Sequence, residues 1–515
     1  MPAPTLRTTL PPTPSREDSA RPRVTVAAAT PAAATILGVP VTAAGPVPSA
    51  LGIDRAHLEA AGFTAAIGSA LVLPAATGPV LVAVGIGNPA ALDAAGLRNA
   101  AAAFARAAGP HERLATTLAD VRGVPSEAAG QAVVEGVLLA RYRYNALRRE
   151  PRGTLVRELT LVAPSGAAKQ VRRGAERGRV FAAAMNLTRD LANTPHSHLS
   201  ASNLANLAVA LGKRHGFTVE VSDKDALVNL GIGGLLGINQ GSVEPPRMIK
   251  LTYGPKRGTS GRLALVGKGI MYDAGGIALK PADRVHAQMK NDMSGAAAIL
   301  AAFTSFAELG CKATVTGYLM CTDNMPSGSA LALGDVITHR GGTTVEVFDT
   351  DAEGRLVLAD ALVLAREAGN DAIVDIATLT GSAKRALGPD MAAVFGTNPA
   401  LVAQVKSAAV ATDEPVWELP LYRPYLRMLE SGVADLMNCA AVGTPDAILA
   451  SLFLAHFAGD VPWAHLDICG PAQNEGDRTW HPDGCSGFGT RLLLELALGF
   501  RPPAGRAARK ARRAG

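Results

Sequence analysis

The chain has 515 residues, of which 48% are hydrophobic and 18% charged, a composition typical of a globular protein and not of a disordered one. At roughly 100–200 residues per domain, this length predicts two folded domains. The net charge of +6 resides in residues 501–515, which carry six basic side chains and no acid. We expect this tail to be solvated and disordered, and only the tail suggests contact with nucleic acid.

Five cysteines, an odd number without a CxxC pair, argue against a disulfide framework or a zinc–thiolate site. We therefore expect reduced, buried thiols in a cytoplasmic protein. The apolar segment 24–44 is interrupted by Pro31, Pro40 and four threonines, so it predicts strands and neither a leader peptide nor a membrane span.

The first part of the chain predicts a smaller α/β domain. Residues 1–29, rich in proline, threonine and serine, are expected to form a loose lead-in. Over residues 30–180, strand-like runs at 70–75 and 79–87 are interleaved with helical stretches at 97–108 and 126–149, the second with Ser126 as its predicted cap.

Residues 181–500 predict a larger, catalytic α/β domain. Two helices are indicated at 293–309 and 355–368, and strand-like runs occur at 217–221, 247–253, 262–270, 313–321, 343–348, 372–381 and 463–468. Strands that alternate with helices favour a mostly parallel sheet sandwiched by helices. In such sheets, ligands bind at the carboxyl ends of the strands.

Acidic residues cluster where these apolar runs end. Lys268 and Asp273 follow one strand, Asp292 begins a helix, and residues 349–353 contain Asp349, Asp351 and Glu353 after another strand. Each acid alone could cap a helix or form a turn. Together the carboxylates would repel one another unless cations neutralise them, so an oxygen-rich site for two divalent ions is indicated, with Mn²⁺, Mg²⁺ and Zn²⁺ all open.

The lysine in this set has two interpretations. Lys268 could be a salt-bridge partner of the acids, or adjacent metal charge could favour its neutral amine as a nitrogen ligand. A phosphatase could use the same carboxylates, but it would need neither a lysine ligand nor a site for a substrate amine. These alternatives stay open on the chemistry of the residues alone.

Five segments resemble, in order and spacing, the signatures of the leucyl aminopeptidases, the cytosol aminopeptidase family of dinuclear metallopeptidases. They are VGKGIMYDAGGIALKP (266–281), MKNDMSGAAA (289–298), NMPSGSA (324–330), DTDAEGRLVLADAL (349–362) and DIATLTGS (375–382). The resemblance covers roughly residues 185–500 strongly, and EGVLLARYRYNALR (135–148) supports it weakly in the first domain.

The resemblance implies an aminopeptidase that releases N-terminal amino acids from peptides through a metal-activated water. It implies two ions, Mn²⁺ or Zn²⁺, bridged by Asp273 and Glu353 and held by Lys268, Asp273, Asp292, Asp351 and Glu353. Lys280 would polarise the scissile carbonyl, and Arg355 would hold a bicarbonate. A homohexamer is also implied.

Two positions depart from the family pattern. The family has asparagine where this chain has Asp349, and the exchange could alter metal affinity or have no effect. The first side-chain pocket implied by the resemblance comprises Met289, Thr378, Gly381, Cys469 and Ala472. Ala472 stands where a bulkier residue is common, so we expect either a wider pocket or local repacking.

Overall fold

The structure is a computed structural model that describes residues 13–16, 21–75, 77–441 and 443–503. Residues 504–515 of the basic tail and residues 1–12 of the expected lead-in lie outside the described residues. The described chain divides into two compact units. The amino-terminal unit comprises Thr13–Asp190 and Asn474–Ser486, and the carboxy-terminal unit comprises Leu191–Gln473 and the described residues from Gly487 onward.

The amino-terminal unit is an α/β domain built on a six-stranded sheet. Its strands are β1 (Arg23–Ala27), β2 (Ile36–Thr42), β3 (Ala70–Leu73), β4 (Val80–Gly87), β5 (Arg113–Thr116) and β6 (Glu158–Val162). Its helices are α1 (Arg55–Ala60), α2 (Ala94–Ala107), α3 (Ser126–Ala140) and α4 (Ala168–Asn193), the last of which continues past Asp190. The strand order is β1-β6-β5-β2-β4-β3, and β3 is antiparallel to β4 while the other neighbours are parallel.

Three boundaries in this unit differ from the sequence expectation. Strand β1 lies inside the segment 1–29 that was expected to be loose, because its backbone pairs in parallel register with β6. Helix α3 ends at Ala140 and not at residue 149, since the Arg141 guanidinium binds the carbonyl oxygens of Ala105, His111 and Thr154 and holds the chain in a turn. Ser126 is the first helical residue and makes no capping hydrogen bond, so its prediction as the cap is wrong.

The carboxy-terminal unit contains a larger, mixed sheet. The strands of this unit are β7 (Thr218–Ser222), β8 (Arg247–Tyr253), β9 (Arg262–Asp273), β10 (Thr314–Asn324), β11 (Val336–Thr338), β12 (Thr344–Glu346), β13 (Ala372–Ala377), β14 (Ala392–Gly396), β15 (Val416–Glu418), β16 (Leu436–Met437) and β17 (Trp463–Asp467). Of these, β11, β12 and β16 form a separate three-stranded sheet. A separate two-stranded pair, β18 (Gln473–Asn474) with β19 (Gly484–Cys485), begins at the unit boundary and belongs to the segment Asn474–Ser486 of the amino-terminal unit. The main sheet has the order β15-β14-β17-β13-β9-β10-β8-β7, with a parallel centre and antiparallel pairings nearer its two edges.

Helices cover the main sheet. They are α5 (Ala201–His215), α6 (Lys224–Asn229), α7 (Gly233–Asn239), α8 (Arg284–Ala287), α9 (Ser294–Phe303), α10 (Glu353–Glu367), α11 (Gly381–Leu387), α12 (Pro399–Thr412), α13 (Asp446–Ala458) and α14 (Thr490–Gly499). The predicted fold class, two α/β domains of which the larger has a mostly parallel sheet between helices, is confirmed. Helix α9 is shorter than predicted, because the Thr304 hydroxyl binds the carbonyl oxygen of Ala301 at the point where the helix ends.

The central strand β9 is apolar and buried on both faces, as expected for a parallel strand covered by helices on each side. Its successive side chains point to opposite faces. Gly267 meets α9, since a Cβ there would lie 2.8 Å from the Cα of Ala296, and Lys268 meets α10, where a Cβ on Gly354 would lie 2.8 Å from its Cε. The buried side chain of Lys268 therefore lies on the face of the sheet that α10 covers.

Helix α9 approaches β13 unusually closely at Gly295. A Cβ at this position would lie 2.1 Å from the carbonyl oxygen of Ile376 and 3.2 Å from the backbone nitrogen of Lys268. Backbone atoms of a central strand cannot yield easily, so any side chain at this position displaces the helix from the sheet. Because Asp292 lies two residues before the first residue of this helix, the same close contact helps to fix one of the candidate ligands.

We predict that Gly295→Ala lowers the free energy of unfolding by about 1–3 kcal/mol, the usual cost of overpacking, although alanine favours helix more than glycine does. Urea unfolding followed by circular dichroism measures the change. Gly254→Ala is the matched control, since a Cβ at residue 254 would meet nothing within 4 Å. Equal unfolding midpoints for the two variants would show that the α9–β13 contact is looser than described.

Candidate metal centre

Three buried carboxylates from three different elements converge in the carboxy-terminal unit. Asp273 is the last residue of β9, Asp292 follows the 3-10 turn Met289–Asn291, and Glu353 is the first residue of α10. One ligand oxygen of each lies within 4.8 Å of the others, and none of the three residues is more than 3% exposed. This spacing would allow one cation to contact all three carboxylates.

Lys268 lies at one end of the cluster. Its Nζ is 2.8 Å from Asp292 Oδ2 and 2.6 Å from Glu353 Oε1, and it donates a hydrogen bond to the carbonyl oxygen of Thr378. Thr378 also donates its hydroxyl proton to Asp292 Oδ1 at 2.6 Å. Asp292 is thus fixed from both sides by groups on β9 and at the end of β13.

Lys280 lies at the other end of the cluster, in the loop between β9 and α8. Its Nζ is 2.8 Å from Asp273 Oδ2 and 2.5 Å from Asp351 Oδ1. Asp292 attracts Lys268 and Asp351 attracts Lys280, whereas Asp273 and Glu353 attract both lysines. This defines a lysine axis with Asp292 at one end, Asp351 at the other, and Asp273 and Glu353 between them. The ordinary salt-bridge interpretation of both lysines is consistent with this arrangement of protein atoms.

Hydrogen bonds from neighbouring polar groups orient Asp273. Its Oδ1 accepts from the side-chain amide of Asn324 and from the backbone N–H of Gly275, each at 2.9 Å. Asn324 also donates to the carbonyl oxygen of Thr350, which ties the end of β10 to the loop that carries Asp351. Asn324 was not singled out from the sequence; the signal was a polar residue closing the otherwise buried strand β10.

Arg355 does not pair with the clustered acids. Its Nη1 donates to the carbonyl oxygen of Asn438 at 2.9 Å and its Nη2 to Asp446 Oδ1 at 2.7 Å. Within the described residues its Nε is buried and has no hydrogen-bond acceptor. Asn438 and Asp446 were not identified from the sequence, since they lie over 80 residues downstream in regions without a recognisable motif.

The electrostatics of the cluster are those of crowded, buried acids. Burial, followed by repulsion from Asp273 and Glu353, raises the pKa of Asp351 to about 7. Burial alone would lower the pKa of the Lys268 ammonium, but the attraction of Asp292, Glu353 and Asp273 outweighs it, so that pKa is raised. Four carboxylates share two ammonium groups, which leaves negative charge in excess when all are ionised.

The donor set fits a divalent cation. Glu353 Oε2 is buried and has no hydrogen-bond partner among the described residues, although its own Oε1 contacts Lys268. Leaving a carboxylate oxygen buried without a donor costs free energy, whereas a cation would satisfy it. Oxygen-rich donor sets of this kind suit Mn²⁺ and Mg²⁺, and Zn²⁺ also accepts carboxylate ligands.

The residues that carry Asp351 do not extend from the main sheet. Strand β12 ends at Glu346 and belongs to a three-stranded sheet of order β11-β12-β16, so residues 347–352 form a loop before α10. In that loop Asp349 Oδ1 accepts the backbone N–H of Asp351 at 2.8 Å. Asp349, the departure from the family asparagine, therefore shapes the turn through which Asp351 reaches the cluster.

Three of the five residues of the implied first side-chain pocket, Met289, Thr378 and Cys469, lie near Asp292. Thr378 is bound to Asp292, and Met289 precedes it by one turn and accepts its backbone N–H. Burial, followed by repulsion from Asp467 and Asp292, raises the pKa of the Cys469 thiol to about 12, so this thiol is protonated and inert at neutral pH. Ala472 is buried and Gly381 is exposed at the start of α11.

The four remaining cysteines, Cys311, Cys321, Cys439 and Cys485, are buried, which agrees with the expectation of buried thiols. Within the described residues, none of the helices combines the length and the apolar character that crossing a bilayer requires.

Family models match most of the chain. Residues 186–494 match the catalytic domain of the cytosol aminopeptidase family, and residues 52–151 match the amino-terminal domain of the same family. The chain is 41% identical over 500 residues to a probable cytosol aminopeptidase of Streptomyces coelicolor, covering 90% of this chain and 95% of that protein. It is 44% identical over 389 residues to a probable cytosol aminopeptidase of Chlorobaculum tepidum, covering 73% of this chain and 76% of that protein.

The chain is also similar to solved structures over most of its length. The bottromycin maturation enzyme BotP is similar with a TM-score of 0.83 and 39% sequence identity, covering 90% of this chain and 99% of that chain. A second structure of BotP, in complex with Mn, is similar to the same extent.

The raised pKa of Asp351 predicts a pH dependence for the protein in the presence of a chelator. Between the ordinary value of 3.8 and about 7, the folded state binds more protons than the unfolded state, so stability falls as the pH rises through this window. We expect the free energy of unfolding of wild type to decrease from about pH 4 to pH 7 relative to that of Asp351→Asn.

Urea unfolding at several pH values measures this difference. Asp435→Asn is the control with the opposite sign, because hydrogen bonds from Thr344 lower the pKa of Asp435 and its contribution is lost as the pH falls. A wild-type curve parallel to that of Asp351→Asn would mean that Asp351 is not crowded by other acids.

Proposed function

The chain belongs to the cytosol aminopeptidase family and is a metal-dependent aminopeptidase, and from this we propose that the cluster around Lys268 and Lys280 is its peptide-cleaving centre. The observation that carries the proposal is the convergence of Asp273, Asp292 and Glu353 within 4.8 Å, with one Glu353 oxygen lacking a donor. We assign two divalent ions to this cluster, with Lys268, Asp273, Asp292, Asp351 and Glu353 as ligands.

The positions of the four acids along the lysine axis indicate which of them would contact both ions and which only one. Asp273 and Glu353 lie between the two lysines and are suited to bridge two ions, whereas Asp292 and Asp351 lie at opposite ends. Bound ions would supply a water of lowered pKa as nucleophile and Lewis acidity for the scissile carbonyl. Mn²⁺ or Zn²⁺ is proposed, and the similarity to BotP in complex with Mn supports manganese.

Bound cations would change the protonation state of Lys268. Without cations, the carboxylates of Asp292 and Glu353 attract its ammonium form. Positive charge at those carboxylates would cancel this attraction and favour the neutral amine. We therefore assign Lys268 as a nitrogen ligand. The hydrogen bond from Nζ to the carbonyl oxygen of Thr378 holds the amine beside Asp292 and Glu353, where an ion would bind.

Lys280 is proposed to stabilise the oxyanion that develops on the attacked carbonyl. Its side chain is 17% exposed, compared with 4% for Lys268, so substrate can approach its Nζ. A fixed cationic donor at the oxyanion lowers the barrier because it acts where charge develops in the transition state. Asp273 and Asp351 hold this donor in position before substrate arrives.

Arg355 is proposed to hold a bicarbonate. Its two Nη atoms are occupied by Asn438 and Asp446, which fix the guanidinium plane, and Nε is the donor that stays buried without an acceptor among the described residues. A buried donor of this kind fits a small anion. Asp446 and Asn438 therefore act as positioning residues for Arg355.

The first side-chain pocket is proposed at the Asp292 end, formed by Met289, Thr378, Gly381, Cys469 and Ala472. The free amino group of a peptide would bind the ions, so its first peptide bond is the one presented for cleavage. We further propose a cytoplasmic homohexamer. The cytoplasm is supported by the names of the relatives, and the hexamer rests on the family resemblance.

We predict that the purified protein hydrolyses aminoacyl anilides, loses this activity in a chelator, and regains it when Mn²⁺ or Zn²⁺ is restored. A chromogenic assay over a panel of first residues measures the rates, with phosphate esters tested in parallel. Turnover of phosphate esters without turnover of any anilide under every metal condition would favour a phosphatase and overturn the proposal.

We predict that Lys280→Met lowers kcat for these anilides by about 10²–10³-fold, the usual cost of losing one oxyanion donor. Lys406→Met is the control, because Lys406 is an exposed lysine that also pairs with a carboxylate, that of Glu418. Its kcat should equal that of wild type. A Lys280→Met enzyme with wild-type kcat would exclude a role for this ammonium in the transition state.

A further inference from the structure

An open cavity of about 500 Å³ lies beside the Asp351 end of the cluster. It is lined by Ala278, Leu333, Gly334, Glu346, Phe348 and Asp349. Neither the five residues of the proposed first side-chain pocket nor the ligands themselves line it. The cavity is therefore a second recess, and it borders the opposite end of the lysine axis.

Hydrogen bonds connect residues that line this cavity to the loop that carries Asp351. The backbone N–H of Ala278 donates to Thr350 Oγ1 at 3.0 Å, and Asp349 Oδ1 accepts the N–H of Asp351 at 2.8 Å. Lys280 follows Ala278 by two residues and pairs with Asp351. A group bound in the cavity would consequently contact the two loops that carry Lys280 and Asp351.

The lining combines apolar surface with negative charge. Leu333 and Phe348 are 51% and 43% exposed, an unusual exposure for large apolar side chains at a recess. Glu346 accepts a hydrogen bond from Ser431 through one oxygen, and Asp349 uses one oxygen for the Asp351 N–H. Among the described residues neither carboxylate has an ion-pair partner, and no basic residue lines the cavity.

We propose that this cavity receives the side chain of the second residue of the peptide and selects lysine or arginine there. The inference rests on the proposed aminopeptidase function. With the first side chain at the Asp292 end and the scissile carbonyl at the ions, the chain that follows the scissile bond leads to the Asp351 end. The second side chain then faces the cavity.

The chemistry of a basic side chain matches the lining. The methylene stem of lysine or arginine covers apolar surface while its charged end stays near water and acids. Here the stem would pack on Phe348 and Leu333, and the cationic end would lie between Glu346 and Asp349. An acidic second residue would meet two carboxylates of like charge and be disfavoured.

The test compares kcat/KM for Leu-Arg-Gly, Leu-Gln-Gly and Leu-Glu-Gly, with leucine anilide as a substrate that lacks a second residue. We expect wild type to prefer arginine over glutamine by roughly fivefold and to disfavour glutamate, from about two- to fivefold for each partly exposed carboxylate. The preference should shrink as salt is added, because the charges are screened.

Variants assign the preference to the cavity. Glu346→Gln and the double variant Glu346→Gln/Asp349→Asn keep the hydrogen-bond acceptors but remove the charges, so the arginine-to-glutamine ratio should fall stepwise towards one. Glu346 is seven residues from Glu353 and five from Asp351, so the single variant reports on the cavity even if Asp349→Asn disturbs a ligand. Glu418→Gln, which removes an exposed charge elsewhere, should leave the ratio unchanged.

Three outcomes would overturn the account to different extents. If wild type hydrolyses leucine anilide and the tripeptides with an arginine-to-glutamine ratio near one, the selectivity is wrong and the proposed function stands. A ratio that survives the double substitution also removes the cavity as its origin. If no substrate is hydrolysed under any metal condition, the aminopeptidase proposal fails and the selectivity fails with it.

Discussion

The crowding of four carboxylates, three of them buried, around two lysines is the constraint on which the rest of this structure depends. Asp273, Asp292 and Glu353 are withdrawn from water almost completely. Partial burial, followed by repulsion from Asp273 and Glu353, raises the pKa of Asp351 to about 7. Two ammonium groups cannot balance four ionised acids. The cluster is therefore costly as a purely structural feature and would become favourable on binding the proposed cations.

The fold provides this arrangement through close backbone contacts. Gly295 and Gly354 bring α9 and α10 against β9 and β13, one helix on each face of the sheet. These helices carry or directly follow two of the acids, while β9 itself supplies Lys268 and Asp273. Rigid elements thus hold the proposed ligands, and the more exposed loops at either end shape the recesses proposed for substrate.

Much of this could be predicted from the sequence, and the remainder depended on contacts between distant residues. The apolar run of β9 predicted a buried strand of a mostly parallel sheet, and the lysine and acids at the ends of elements predicted that these charged side chains would converge. The partners of Arg355, Asn438 and Asp446, could not be predicted because no local pattern links residues so far apart. Likewise, the sequence placed β12 in the main sheet, whereas it belongs to the separate three-stranded sheet, because β propensity does not specify the partner strand.

Manganese stoichiometry tests the central claim most directly. The protein is first treated with a chelator, and the chelator is then removed. Equilibrium dialysis against Mn²⁺, with the metal quantified by mass spectrometry, counts the ions bound per chain. We expect two equivalents for wild type and fewer for Glu353→Gln, whose position between the lysines makes it common to both ions. Wild-type protein that binds no more Mn²⁺ than this variant would contradict the account, because the buried acids would then be balanced by the protein alone.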